Sequence, residues 1–306
     1  MPPLVNLRTP TKDDIPALAK AFQFAFSDYF IPMDFDEAHL REFLYVNDID
    51  LGLSFLVETP GGQPVGQALS GRRGELGWIG GVGLHPEYRG KGIARDLVKR
   101  QLRAFRDGGV QEVTLEVLSQ NERAKKLYDG MGFETVRDLH YFRHMRPEPE
   151  SSTPPEDLRF EEAPVEQVLE MYTPDHPWQT MKQSLLKGTD LKAFLSFKVE
   201  EGSYSEDLGI EMPDIPKLPD QMLAPQGPEL EGYCIYRAFE KGMMIVDLYS
   251  ASNARELVLQ LLRLSEGKAL YAHHVFDEAC VAAYEDLGFE RYLLQHELSK
   301  MVLTHF

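Results

Sequence analysis

A chain of 306 residues has room for about two domains, and its 43% apolar and 26% charged residues are those of a folded globular protein rather than a disordered one. There is no run of ~18 apolar residues to span a membrane, no basic-then-apolar leader at Met1–Asn6, and only two cysteines, Cys234 and Cys280, too few for a disulfide framework. A cytoplasmic protein with free buried thiols is expected.

The net charge of −17 is unevenly placed. Residues 1–146 carry 19 Lys and Arg against 20 Asp and Glu, whereas residues 147–306 carry 13 against 29. Within 89–106, seven basic residues face one acid. A polyanionic ligand is therefore drawn to that one segment of an acidic protein. The basic surface extends no further, which argues against nucleic acid.

In chain order, Leu4–Arg8 reads as a strand, and Thr11 or Asp13 caps an amphipathic helix through Ile15, Leu18, Ala19 and Phe22. The aromatics between Phe22 and Phe43 read as core. Leu53–Glu58 and Pro64–Arg72 form a hairpin across Pro60-Gly61-Gly62. Gly77–Leu84 is a buried strand that runs into His85-Pro86-Glu87-Tyr88-Arg89-Gly90-Lys91-Gly92. A helix follows, with one apolar face at Ile93, Ala94, Leu97, Val98, Leu102 and Phe105, and Gly108-Gly109 ends it. Val110–Leu118 alternates as a strand. Asn121 opens a short helix bearing Ala124, Leu127 and Tyr128, which stops at Gly130-Met131-Gly132 before Phe133.

The turn before Ile93 has the physics of an anion site. A helix N-terminus offers unpaired N–H groups and partial positive charge, Gly90 and Gly92 permit close approach and positive φ, and Arg89 and Lys91 add full charge. The third glycine of the dinucleotide fingerprint is missing, and so is any Gly-x4-Gly-Lys-Ser/Thr.

Arg89-Gly90-Lys91-Gly92-Ile93-Ala94 resembles the Arg/Gln-x-x-Gly-x-Gly/Ala turn of the GNAT superfamily of acyl-CoA-dependent N-acyltransferases. Asn121, Leu127-Tyr128 and Gly132-Phe133 resemble its later segment, with the elements in the same order. The resemblance covers residues 4–145; Ala94 stands where glycine is commoner, and the acceptor-side residues match no particular subfamily.

Beyond a proline-rich, acidic linker, the second half echoes the first. Tyr284 and Phe289 repeat Tyr128 and Phe133 at an offset of 156 residues, Gly232-Tyr233-Cys234 echoes Gly66-Gln67-Ala68, and Ala254–Val258 echoes Ala94–Val98. Only Ser250-Ala251-Ser252-Asn253 stands where the basic glycine turn would be. The expectation is an α/β (α+β) chain of two tandem GNAT-like folds, each a mixed, mostly antiparallel twisted sheet flanked by helices. The boundaries are 1–147 for the catalytic domain, 148–157 for the linker and 158–306 for a degenerate copy. Glu201–Pro228, without periodicity, reads as a long loop or lid.

The resemblance implies transfer of an acetyl or other acyl group from acetyl-CoA to a primary amine. The backbone of Val82, Gly83 and Leu84 would pair with the pantetheine arm. Arg89, Gly90, Lys91, Gly92, Ile93, Ala94 and Arg95 would hold the pyrophosphate. Asn121 would bond the coenzyme or a water, and Tyr128 would protonate the departing thiolate. For the base, Glu75 is the positional choice, with His85 or water as alternatives. The histidines at 140, 144, 273 and 274 lack metal-ligand company, so no metal is assigned. The acidic second half either serves as a structural cover or builds the acceptor site for a cationic small-molecule or peptide amine. A homodimer is compatible with the sequence, and a non-catalytic acyl-CoA sensor or scaffold is the competing function.

Overall fold

The computed structural model describes residues 4–30, 35–145, 147, 153–172, 175–198 and 229–302. Glu201–Pro228 and residues 148–152 of the expected linker lie outside the described residues.

The chain forms two compact units, and they are not the two sequence halves. The first comprises Met1–Leu139, Thr173–Thr189 and Leu293–Phe306; the second comprises His140–Tyr172 and Asp190–Tyr292. Three segments thus depart from the boundary expected at 147–158.

The strands of the first half are β1 (Asn6–Arg8), β2 (Phe55–Glu58), β3 (Pro64–Arg73), β4 (Leu76–Leu84), β5 (Glu112–Leu118) and β6 (Glu134–His144). Its helices are α1 (Ile15–Phe26), α2 (Glu37–Val46), α3 (Ile93–Asp107) and α4 (Glu122–Asp129). The second half supplies β7 (Leu158–Ala163), α5 (Val165–Glu170), α6 (Lys182–Leu185), β8 (Leu191–Lys198), β9 (Glu229–Phe239), β10 (Gly242–Ser250), α7 (Ala254–Ser265), β11 (Ala269–Val275), α8 (Glu278–Asp286) and β12 (Glu290–Met301).

In the first unit the sheet order is β1-β2-β3-β4-β5-β12. Every pairing is antiparallel except β4–β5. The strand beside β5 is the last of the chain, in register Gln295↔Leu118 to Met301↔Glu112. The parallel β4–β5 ladder is short: it runs from Leu76↔Glu112 to Trp78↔Thr114, and the two strands part beyond.

A bulge in β4 accompanies the parting. The β3–β4 register jumps between Leu69↔Gly81 and Ser70↔Ile79. The buried Gln101 of α3 donates its amide to the Leu69 carbonyl at 3.0 Å and the Ser70 hydroxyl at 2.9 Å, which satisfies polar groups at the irregularity. On one face of the sheet, α3 packs Val98 and Phe105 on Ile79, Val113 and Leu115. On the other, α1 lays Leu18, Ala19 and Phe22 against Leu56 and Leu69, with Phe35 and Phe43 of the aromatic stretch beside them. A Cβ on Gly83 would stand 2.5 Å from the Cβ of Ala25, so glycine there lets α1 close onto β4.

The second unit has the order β6-β11-β10-β9-β8-β7, antiparallel except for β10–β11, which pair over Gly242–Ile245 and Ala269–Ala272. Its core is built on α7, α8 and the strands beneath them.

Candidate active site

The parting of β4 and β5 opens a cleft of about 780 Å³ in the first unit. Of the residues expected there, Val82, Gly83, Leu84, Arg89, Gly90, Gly92, Ala94, Arg95, Asn121 and Tyr128 line it together. Gly90 (φ +78°) and Gly92 (φ +86°) adopt the left-handed conformation, and Gly92 precedes the first residue of α3. The free amides of that helix end and its dipole act together at the cleft wall.

Three expected residues sit elsewhere. Ile93 is buried in the core beneath α3. The Lys91 ammonium donates to the Glu87 carbonyl at 2.6 Å and lies 5.7 Å from the Tyr88 ring. Glu75 lies exposed in the β3–β4 turn, at the end of β4 away from the cleft, and accepts from Gln111 at 2.6 Å.

Arg89 lines the cleft, but its guanidinium is committed to protein groups. It donates to both Asp28 carboxylate oxygens at 2.8 and 2.7 Å, to the Leu84 carbonyl at 3.0 Å and to the Ala25 carbonyl at 2.9 Å. Asp28 is held below the usual carboxylate range by this bond. Arg89 therefore ties the last turn of α1 to the end of β4, a favourable place for a cation. The other basic side chains lining the cleft are Arg95, Arg123 and Lys126, of which Arg95 reaches the Gly130 carbonyl at 3.4 Å and Lys126 pairs with exposed Glu122 at 3.3 Å. Arg123 and Lys126 were missed because they follow Asn121 rather than the glycine turn.

At the inner end, Asn121 caps α4 by accepting from the Ala124 N–H at 3.2 Å, and Tyr29 lines the cleft with it. Burial, and next the neighbouring Tyr29, push the Tyr128 phenol well above its ordinary pKa. Tyr128 thus stays a neutral donor throughout the accessible pH range.

A carboxylate unnoticed in the sequence lies on the opposite face of β5 from Tyr128. Glu116 is the first residue on its face of β5 beyond the last β4–β5 pair. Its Oε2 accepts from the Trp78 indole at 2.7 Å, and its Oε1 is sealed from solvent with no hydrogen-bond partner among the described residues. Burial, and next the charge of Glu297, raise Glu116 to about 8. Trp78 itself stacks on Trp178, with ring centroids 5.7 Å apart and planes 5° from parallel.

Residues 16–133 match the model of the acetyltransferase (GNAT) family. The chain carries a GNAT domain. This GNAT domain has curated relatives at modest identity. N-alpha-acetyltransferase 30 of Xenopus laevis is 41% identical over 68 residues, which cover 22% of this chain and 24% of that protein. N-alpha-acetyltransferase MAK3 of Arabidopsis thaliana is 38% identical over 66 residues, 22% of this chain and 35% of that protein. The chain thus spans between about a quarter and a third of these two relatives.

Solved structures of the GNAT fold align along nearly the whole chain. A GCN5-related N-acetyltransferase from Sphaerobacter thermophilus has a TM-score of 0.69 at 17% identity and covers 99% of this chain and 97% of its own. A tandem GNAT protein from the clavulanic acid biosynthesis pathway has a TM-score of 0.62 at 12% identity, with 99% and 100% covered. The fold is therefore that of a tandem GNAT protein.

Proposed function

We propose that the first unit transfers an acetyl group from acetyl-CoA to a primary amine by direct attack. The observation that carries this reading is the meeting, in one cleft, of the Gly90–Gly92 turn, the unpaired edge of β4 at Val82–Leu84, Asn121 and Tyr128. The donor set suits the coenzyme: helix amides with Arg95, Arg123 and Lys126 for the phosphates, and a strand edge for the amide-bearing arm.

In this mechanism a β4 amide near Val82 polarises the thioester carbonyl. Tyr128 delivers its phenolic proton to the departing thiolate, whose conjugate acid has a pKa of about 8.5. Glu116, not Glu75, is the group for removing the ammonium proton. It stands at the head of the parting, on the face opposite Tyr128 and behind the residues that line the cleft, with one buried carboxylate oxygen unbonded, and a base poised near the working pH is the efficient one. The acceptor is a small-molecule or peptide amine. The relatives' names, both N-alpha-acetyltransferases, favour including peptide N-termini among those tried.

Coenzyme A release from acetyl-CoA across a panel of polyamines, aminoglycosides and peptides tests the reading. Tyr128→Phe and Glu116→Gln are each expected to lower kcat/KM by roughly 10²- to 10⁴-fold while acetyl-CoA still binds. Tight binding with no release for any amine would favour a sensor or scaffold instead.

A further inference from the structure

We infer that Glu297, clamped by Arg137, is a positioning residue for proton removal by Glu116, so that the last strand of the chain completes the acyl-transfer site of the first unit. The inference rests on the proposed role of Glu116.

Glu297 is the register partner of Glu116 across the antiparallel β5–β12 ladder. Directly opposite residues hold their Cβ atoms about 4.5–5.5 Å apart on one face, and like charges placed so are unfavourable. Here both members are carboxylates, in a region where Glu297 is only 3% exposed. A glutamine at either position would relieve the repulsion, so packing does not explain the pair.

The compensation around it is one-sided. Arg137 Nε bonds Glu297 Oε2, and Arg137 NH1 reaches both the Asp175 carbonyl and carboxylate at 3.2 Å. Glu116 has only the neutral Trp78 indole on Oε2. Among the described residues, the charges acting on Glu116 are Glu297 from β12, which raises its pKa, and Arg137 from β6, which lowers it by less; Asp175 and His176 stand beside Arg137. His176 is pushed down to about 4, by burial first and Arg137 next, and is neutral at physiological pH.

This arrangement does two things to Glu116. The ionised Glu297 carboxylate opposes a second negative charge, which is the second cause, after burial, of its raised pKa. It also leaves Oε1 without a protein donor, free to take a proton. The same doubled negative charge favours an acceptor that arrives as a cation and loses its proton at Glu116. The second sequence half then has a role in the chemistry, because it supplies both Glu297 and the 175–176 segment.

The test is the pH dependence of kcat/KM for the full chain, read beside the indole N–H resonances of its two tryptophans, with Trp78→Phe identifying the one that reports Glu116. In the wild type both the acidic limb and the Trp78 indole shift are expected to titrate near pH 8. Glu297→Gln moves both midpoints down by about one pH unit and leaves the high-pH plateau within a few-fold. Glu297→Asp, which keeps the charge, restores the wild-type midpoint and stands in should Glu297→Gln fail to fold, a midpoint unlike the wild type's then counting against the inference. Unmoved midpoints in folded Glu297→Gln, or an equal loss of activity at every pH, would overturn the inference. The outcomes separate the two claims. Glu116→Gln with wild-type kcat/KM removes the base itself, whereas loss of activity in Glu116→Gln with an unmoved limb in Glu297→Gln removes only the role of Glu297.

Discussion

The two units each contain a parallel strand pair that parts beyond a bulge, and they have done opposite things with the gap. In the first, the residue after the bulge is Gly81, and the gap is an open cleft with Tyr128 at its inner end. In the second, the β9–β10 register jumps between Ile245 and Asp247, so a half-buried carboxylate follows the bulge. It is bonded to the Tyr172 and Tyr233 phenols, and burial raises it to about 6. Tyr284, the counterpart of Tyr128, is completely buried against Phe142, with ring centroids 5.2 Å apart. Cys280 and Leu248 belong to the same core.

The helix that follows differs as sharply. At the start of α3 the glycine turn sets Gly90 and Gly92 in the cleft wall. At the start of α7 the protein supplies its own anion: the buried Glu231 carboxylate accepts from the Ser252 hydroxyl at 2.7 Å and the Asn253 amide at 3.1 Å. The second unit thus places a side-chain carboxylate beside the start of its helix, where the first has a glycine turn.

The largest expected effect comes from making the first unit resemble the second. Gly92→Glu places a carboxylate at the turn and a side chain at φ +86°, where L-residues are strained. Acetyl-CoA affinity, measured by calorimetry, is expected to fall by about 100-fold or more, with the melting temperature changed by only a few degrees. Unaltered affinity would remove the turn from the binding site.

The reverse change is smaller. Glu231→Ala removes the anion from α7 and leaves Ser252 and Asn253 without their shared acceptor. A stability loss of about 1–3 kcal/mol in denaturant unfolding is expected, with acetyl-CoA affinity unchanged. A change in affinity instead would mean that the second unit binds the coenzyme.

The contrast between the units was only partly legible in the sequence. The glycine turn, its loss before Ala254 and the Tyr128/Tyr284 repeat are local signals, carried by residue type and spacing. The exchange of β12 into the first sheet is not local. β5 and β12 both present alternating apolar faces, and nothing in either strand's pattern names its neighbour. Glu116 was hidden for the same reason. Its alternation with Val113, Leu115 and Val117 put it on the face away from α3, which reads as solvent until Glu297 and the segment around Trp178, supplied from the far half, stand against it. Glu75, by contrast, had only a position at the start of a strand in its favour, and the hairpin carries it to the exposed end.

Glu116 also gives the first unit a pH signature in stability. Its pKa is raised on folding, from 4.5 to about 8. The folded state therefore binds more protons than the unfolded state between these values, and the stabilisation present below pH 4.5 is lost progressively as the pH rises to about 8. A loss on the order of 3 kcal/mol is expected across that window, and Glu116→Gln should flatten it. Thermal unfolding at pH 5 and pH 8 reads the difference. An equal pH slope in wild type and variant would mean that Glu116 is ionised at little cost, and its place as the base would go with it.

The smallest effect concerns Asp28 and separates a ligand from a clamp. If Arg89 met the pyrophosphate directly, freeing it from Asp28 would tighten coenzyme binding. The bonds to Leu84 and Ala25 indicate the other outcome: Arg89 fixes the end of α1, and with it Tyr29, against the end of β4. Asp28→Asn removes one exposed ion pair and leaves both carbonyl bonds, so KM for acetyl-CoA should rise only about two- to five-fold, as expected for a surface pair worth up to ~1 kcal/mol. Because the pair is partly solvated, the difference between wild type and variant should shrink at high salt. A fall in KM would assign Arg89 to the phosphates after all.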